Sequence, residues 1–256
     1  MNERTNEKAE ILNWEKIEKK HKEFLWKEPR ECAYEIAKEY INKYWKGGEI
    51  PKEDLQKITE AVLTFLFVWN SAFYRGCIFE ENFIKKIKDK IKNNKEKLDY
   101  FKRKCICELN TSDNLMKNDI KDLYESFLEV LTCEKEKGNT KLHNEEGGQG
   151  SDQGSKEENG NTKSYSPVST AKFLHIFCPN FFPLWDRTIA DRYGCSYKNG
   201  KNSFESYWEY MIKVKEQINN IEGTKTGEIK EILKEYTILK LVDEYNYMSY
   251  TKGKKQ

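Results

Sequence analysis

The chain has 256 residues and a mass of 30.5 kDa, enough to bury a core without disulfide staples and short enough to be one domain. Its 45 basic and 43 acidic residues leave a formal net charge of +2, so global charge singles out no class of partner. With 5 prolines and 14 glycines, many of the glycines crowded into one stretch, a β-sandwich or barrel is disfavoured, because such folds need turn residues roughly every 8–12 positions.

The first twenty residues, MNERTNEKAEILNWEKIEKK, contain no apolar run of signal-peptide length, and the longest apolar stretch, 61–69, is too short for a bilayer span. A cytoplasmic protein without a membrane partner is expected. His21 lies in a charged helical segment and is expected on the surface. Ala33, Ile36, Ala37, Tyr40, Ile41 and Tyr44 share one helix face that Gly47 and Gly48 end. Pro51 opens the next helix, through Leu55, Ile58, Val62, Phe65 and Leu66, which is apolar enough to be central. Phe83, Ile84, Ile87 and Ile91 predict a third, Leu98, Phe101 and Cys105 a fourth, and Ile120 to Leu131 a fifth behind the capping candidates Thr111 to Asp113. Ten Lys or Arg stand against three acids between Phe83 and Lys104, either a solvated face or a surface for phosphates.

From 134 to 164 the chain turns to Gly, Ser, Asn and Gln with a single strong hydrophobe, Leu142, and His143 as a solvated residue. Such a segment buries too little to offset its ordering entropy, so a disordered insertion is expected there. Beyond it, 167–177 reads as a buried helix opened by Pro167, Asp186 as an N-cap, and 203–218 and 226–245 as amphipathic helices. The expected fold is all-α: one helical domain over 1–256, of about nine to ten helices. The seven cysteines, odd in number and without CxxC pairs, read as reduced and mostly buried thiols. Cys105 and Cys107 lie on opposite sides of a helix and make a poor zinc pair. No metal or other cofactor is expected. His175, on an apolar face, reads as a satisfied core histidine.

Ser169-Thr170-Ala171 in a buried helix, followed after seventeen residues by Asp186 at a helix start with Pro183 three residues before it, resembles the active-site half of the helix-hairpin-helix DNA glycosylase superfamily. The resemblance covers about thirty of the 256 residues. The family's glycine-rich hairpin is absent, and Tyr165-Ser166-Pro167-Val168 stands in its place. The position of the lysine in bifunctional members is Ser169, with Lys172 nearly one turn further on. The resemblance implies a glycosylase-like fold and Asp186 as the essential carboxylate, facing an oxocarbenium-like sugar after a base is extruded. Lys172 would then pair with Asp186 or attack the sugar as an amine.

Trp69, Phe73, Tyr74 and Arg75, ending the central helix, are candidates for a base-facing patch, joined by Ser169, Trp185 and Arg187 around the motif. These aromatics also fit core packing, and Asp186 also fits plain helix capping. The expectation is a DNA base-excision enzyme with DNA as partner; the alternative is a non-catalytic helical module that binds nucleic acid or protein.

Overall fold

The computed structural model describes residues 12–46, 49–136, 161–197 and 200–252, with side chains omitted at 135, 136, 161 and 162. Twelve α-helices and one two-stranded sheet are present among these residues. Residues 1–11 and His143 lie outside them.

Helix α1 (Trp14–Lys27) starts at Asn13, whose side chain accepts the Lys16 amide. Helices α2 (Glu31–Tyr44) and α3 (Lys52–Trp69) pack as neighbours, and α3 buries Leu55, Ile58, Val62, Phe65 and Leu66. A single turn, α4 (Ser71–Tyr74), follows at once. The lysine-rich segment forms α5 (Phe83–Asn93) and α6 (Lys95–Lys102), which lay Ile87, Ile91, Leu98 and Phe101 on the core. Asp113 caps α7 (Asn114–Val130) through the amides of Leu115 and Met116.

The margins of the expected insertion form a ribbon. Strands β1 (Thr132–Glu136) and β2 (Asn161–Tyr165) pair antiparallel, with Thr132 opposite Tyr165 and Glu136 opposite Asn161. Of the segment 134–164 expected as an insertion, residues 137–160 lie outside the described residues, and the flanking residues form these two strands. A polar composition hides such a ribbon, because its backbone pairing needs no apolar side chains.

Helix α8 (Pro167–Phe177) follows β2 directly. Ser166 caps it, and every residue from Ser169 to Phe177 is buried. Its neighbours are α2, α3 and α7, which makes it the axis of the main core. A buried connection leads to α9 (Arg187–Arg192) and α10 (Phe204–Asn219). The segment 226–245 is two helices, α11 (Gly227–Glu235) and α12 (Ile238–Asn246), because Tyr236 turns extended and the Thr237 hydroxyl accepts the Lys240 amide. This break and the one-turn α4 raise the helix count above nine or ten. A π-helical turn (Tyr247–Lys252) ends the described chain. Helices α1, α11 and α12 close a smaller core around Trp14, Ile17, Ile229, Leu241, Val242 and Tyr245.

Two expectations fail in this architecture. His21 is buried, 3% exposed, because α1 packs on α12 and sets its Nδ1 2.6 Å from Glu244 Oε2. Cys77 and Cys133 form a disulfide instead of two thiols. The bridge between Ile78 and Glu134 brings their Cα atoms to 5.4 Å, inside the range a disulfide spans. Of the five free cysteines, Cys178 and Cys195 are buried, while Cys32 and Cys107 are exposed. No helix among the described residues is long and apolar enough to cross a membrane.

Candidate active site

A cavity of about 290 Å³ lies between α8 and α12. Arg30, Glu31 and Tyr34 reach it from the start of α2, Phe65, Trp69 and Asn70 from the end of α3, and Val168 and Lys172 from α8. Leu184 to Arg187 form another wall, and Lys240, Asp243, Tyr247 and Thr251 complete it from the C-terminal helix and turn. Five of the nine residues expected at a site therefore meet here: Trp69, Lys172, Trp185, Asp186 and Arg187.

Each has an identifiable local role. Asp186 caps α9, with Oδ1 accepting the Ile189 amide at 2.7 Å, while Oδ2 accepts the Thr251 hydroxyl at 3.2 Å. Capping and cavity lining thus coexist in one carboxylate. Lys172 donates to the Trp69 carbonyl at 2.8 Å and sits 5.6 Å from the centre of the Trp69 ring. Burial lowers its pKa to about 8, against the opposing pull of Asp186 and Asp243. The Trp69 indole donates to the Arg30 carbonyl at 2.9 Å, its ring stacks on Phe24, and the Arg30 guanidinium lies 4.6 Å above it. Trp185 is fully buried, and its indole N–H has no acceptor among the described residues. Arg187 is exposed at the mouth.

The other four lie elsewhere. Phe73, Tyr74, Arg75 and Ser169 do not line the cavity. The chain turns at Asn70, where α3 ends and α4 begins, and this carries the next residues away from Trp69. Tyr74 packs against Phe67 and Phe79, and its hydroxyl donates to Ser169 Oγ at 2.8 Å. Ser169 also accepts from Asn70 at 2.8 Å and contacts Ser166 at 2.9 Å, so its hydroxyl is spent on joining α3, α4 and α8. Arg75 is exposed at the end of α4. His175 is a satisfied core residue, with Nδ1 2.7 Å from the Phe182 carbonyl and Nε2 3.2 Å from the Tyr34 hydroxyl.

Sequence reasoning did not single out the charged groups behind the cavity. Lys240, 2% exposed, lies 2.9 Å from both Glu31 and Glu244, and Glu244 reaches on to His21. Burial disfavours charge on Lys240, but Glu244 and Glu31 outweigh it and hold its pKa above the ordinary lysine value. Asp243 is different. Its carboxylate lines the cavity without a hydrogen bond or ion pair to any described residue. Burial pushes it up to about 7, with Asp186 and Glu244 reinforcing the shift and Lys240 and Lys172 opposing it. The available signal was the run ILKLVDEYN, where Lys240 and Glu244, four apart, sit among residues patterned for burial.

The site therefore combines a carboxylate fixed at a helix N-terminus, an amine of depressed pKa, a second carboxyl and aromatic faces. The lysine-rich pair α5–α6, by contrast, is largely neutralised. Lys90 pairs with Glu129 at 2.8 Å, Lys97 with Asp119 at 2.9 Å and Asp122 at 3.0 Å, Lys104 with Glu108 at 2.6 Å, and Lys86 and Lys95 with Glu80 and Asp99. Among the described residues no group of three or more His, Cys, Asp or Glu is arranged to hold a metal ion. In comparisons with known proteins no family model matches the chain, and no curated protein or solved structure matches it.

Proposed function

We propose that the chain is a DNA glycosylase-like base-excision enzyme acting on a damaged or modified base. The observation that carries this reading is that Trp69, about a hundred residues earlier in the chain, lines one cavity with Lys172, Trp185, Asp186 and Arg187. At about 290 Å³ it falls just under the range of drug-sized ligand sites and suits a single planar base. An extruded nucleotide would place its base against the aromatic walls. The N-glycosidic bond then breaks, its electron pair leaves with the base, and the Asp186 carboxylate faces the positive charge at the sugar C1′. Water completes the hydrolysis by adding to C1′ and giving up a proton. An amine of pKa about 8, as in Lys172, is deprotonated in part at neutral pH, which also permits attack on C1′ and a Schiff base.

A non-catalytic binding module is the second reading. The double engagement of Asp186 by Ile189 and Thr251 favours it, because that carboxylate is then explained by structure alone. Incubating wild type and Asp186→Asn with a panel of lesion-bearing oligonucleotides and scoring free base separates the two. The enzyme reading expects release from at least one lesion by wild type and its loss in the variant; no release from any lesion leaves the module. Borohydride trapping then assigns Lys172: an adduct lost in Lys172→Gln marks amine attack, and release without an adduct marks water.

A further inference from the structure

A census of the polar groups on the cavity wall shows where a ligand would bind. Asp186 is held by Ile189 and Thr251, Lys172 by the Trp69 carbonyl, Arg30 by Glu28 at 2.7 Å, and Glu31 and Lys240 by each other. Asp243 alone among these wall groups offers a carboxylate with both oxygens free of hydrogen bonds and ion pairs to described residues. A half-buried carboxylate left in this state is costly unless solvent or a ligand supplies donors. Trp69, Trp185 and Tyr247 line the same cavity, so the complement is a flat ring whose edge carries N–H groups.

Two carboxylate oxygens in one plane match two parallel N–H donors, the fork geometry that makes paired charge-assisted hydrogen bonds strong and specific. Among nucleobases, the guanine-type edge, with its ring N1–H beside the exocyclic 2-amino group, presents that pair. Adenine presents an acceptor at N1, which a carboxylate repels. Hypoxanthine keeps N1–H and lacks the amino group. We infer that Asp243 is a specificity-determining residue that reads the N1–H and 2-amino edge of a guanine-type base held in this cavity. The inference rests on the base-excision reading for its setting, although the recognition step itself needs no catalysis.

Binding of free nucleosides tests recognition apart from chemistry. Titrating wild type and Asp243→Asn at pH 8, where the Asp243 carboxyl is mostly ionised, with 2′-deoxyguanosine, 2′-deoxyinosine and 2′-deoxyadenosine by calorimetry or ligand-observed NMR gives the order of affinity. Wild type is expected to favour deoxyguanosine over deoxyinosine by about tenfold, the ratio for losing one charge-assisted hydrogen bond, and to bind deoxyadenosine more weakly still. Asp243→Asn keeps the size of the side chain and removes its charge, so a folded variant, checked by its melting curve, is expected to lose the preference. Equal affinity for the three nucleosides, no binding at millimolar concentration, or an unchanged preference in the folded variant overturns the inference. A guanine preference without base release from any oligonucleotide keeps Asp243 as the reader and discards the excision enzyme. Base release without that preference does the reverse.

Discussion

Two regions of this molecule are rich in charge, and they use it in opposite ways. On α5 and α6, Lys90, Lys95 and Lys97 meet acids from their own helix or from α7, and each such pair is cheap to form and cheap to lose. Around the cavity, Lys240, Glu31, Glu244 and His21 form a buried chain of contacts, and Lys172 and Asp243 face the space it leaves. Counting charges along the sequence points to the first region. Burial and missing partners point to the second.

The largest expected effect breaks the buried chain. Lys240→Ala leaves Glu31 and Glu244 without their shared cation and is expected to cost about 3–5 kcal/mol in urea unfolding. A loss near zero would place these charges in the same class as the surface lysines. On the lysine-rich side a covalent link takes the larger structural share, since Cys133 lines a cavity together with Phe83, Lys86 and Lys90 of α5 and is bonded to Cys77 across a separation of 56 residues. Cys77→Ser is expected to lower stability by about 2–4 kcal/mol. A thiol titration of the unfolded wild type should find five of the seven cysteines reactive.

Asp243 sharpens the contrast through pH. Its folded pKa of about 7 lies above the ordinary aspartate value, so its contribution to stability is fully present below about pH 4 and is lost as pH rises through about 7. The groups that set this shift are Lys240 and Glu244 on its own helix, Lys172 on α8 and Asp186 before α9. Asp243→Asn should therefore match wild type near pH 4 and exceed it by about 4 kcal/mol at pH 8; parallel melting curves at both pH values would contradict this. The smallest effect is expected at Lys97, paired with Asp119 and Asp122 at the surface. Lys97→Ala should change unfolding free energy by about 0–1 kcal/mol.

Much of the fold was legible because local periodicity and capping carry it. The apolar spacing in α2, α3, α5 and α7, Pro167 at the start of α8, and Asp113 and Asp186 as caps are all short-range signals. The break at Tyr236 and Thr237 was not, since a threonine inside an amphipathic run competes with the helix only when its hydroxyl captures a later amide. His21 and the Cys77–Cys133 bond depend on contacts 223 and 56 residues apart, which no local pattern encodes. At the site, a short motif pointed to Lys172, Trp185, Asp186 and Arg187, and an aromatic cluster pointed to Trp69. The same cluster also named Phe73, Tyr74 and Arg75, which one helix end at Asn70 separates from the cavity. Asp243 was invisible for a different reason: an acid on an amphipathic helix reads as its solvent edge until the facing helices are known.

The central claim is that the cavity, and not the lysine-rich surface, holds the working groups. Single-turnover base release should be measured on a lesion-bearing duplex for wild type, Asp186→Asn, and a variant carrying Lys85→Ser, Lys92→Ser and Arg103→Ser on the exposed face of α5–α6. The account predicts a loss of about 100-fold or more in Asp186→Asn and a rate close to wild type in the surface variant. Release that survives Asp186→Asn and fails in the surface variant would contradict it.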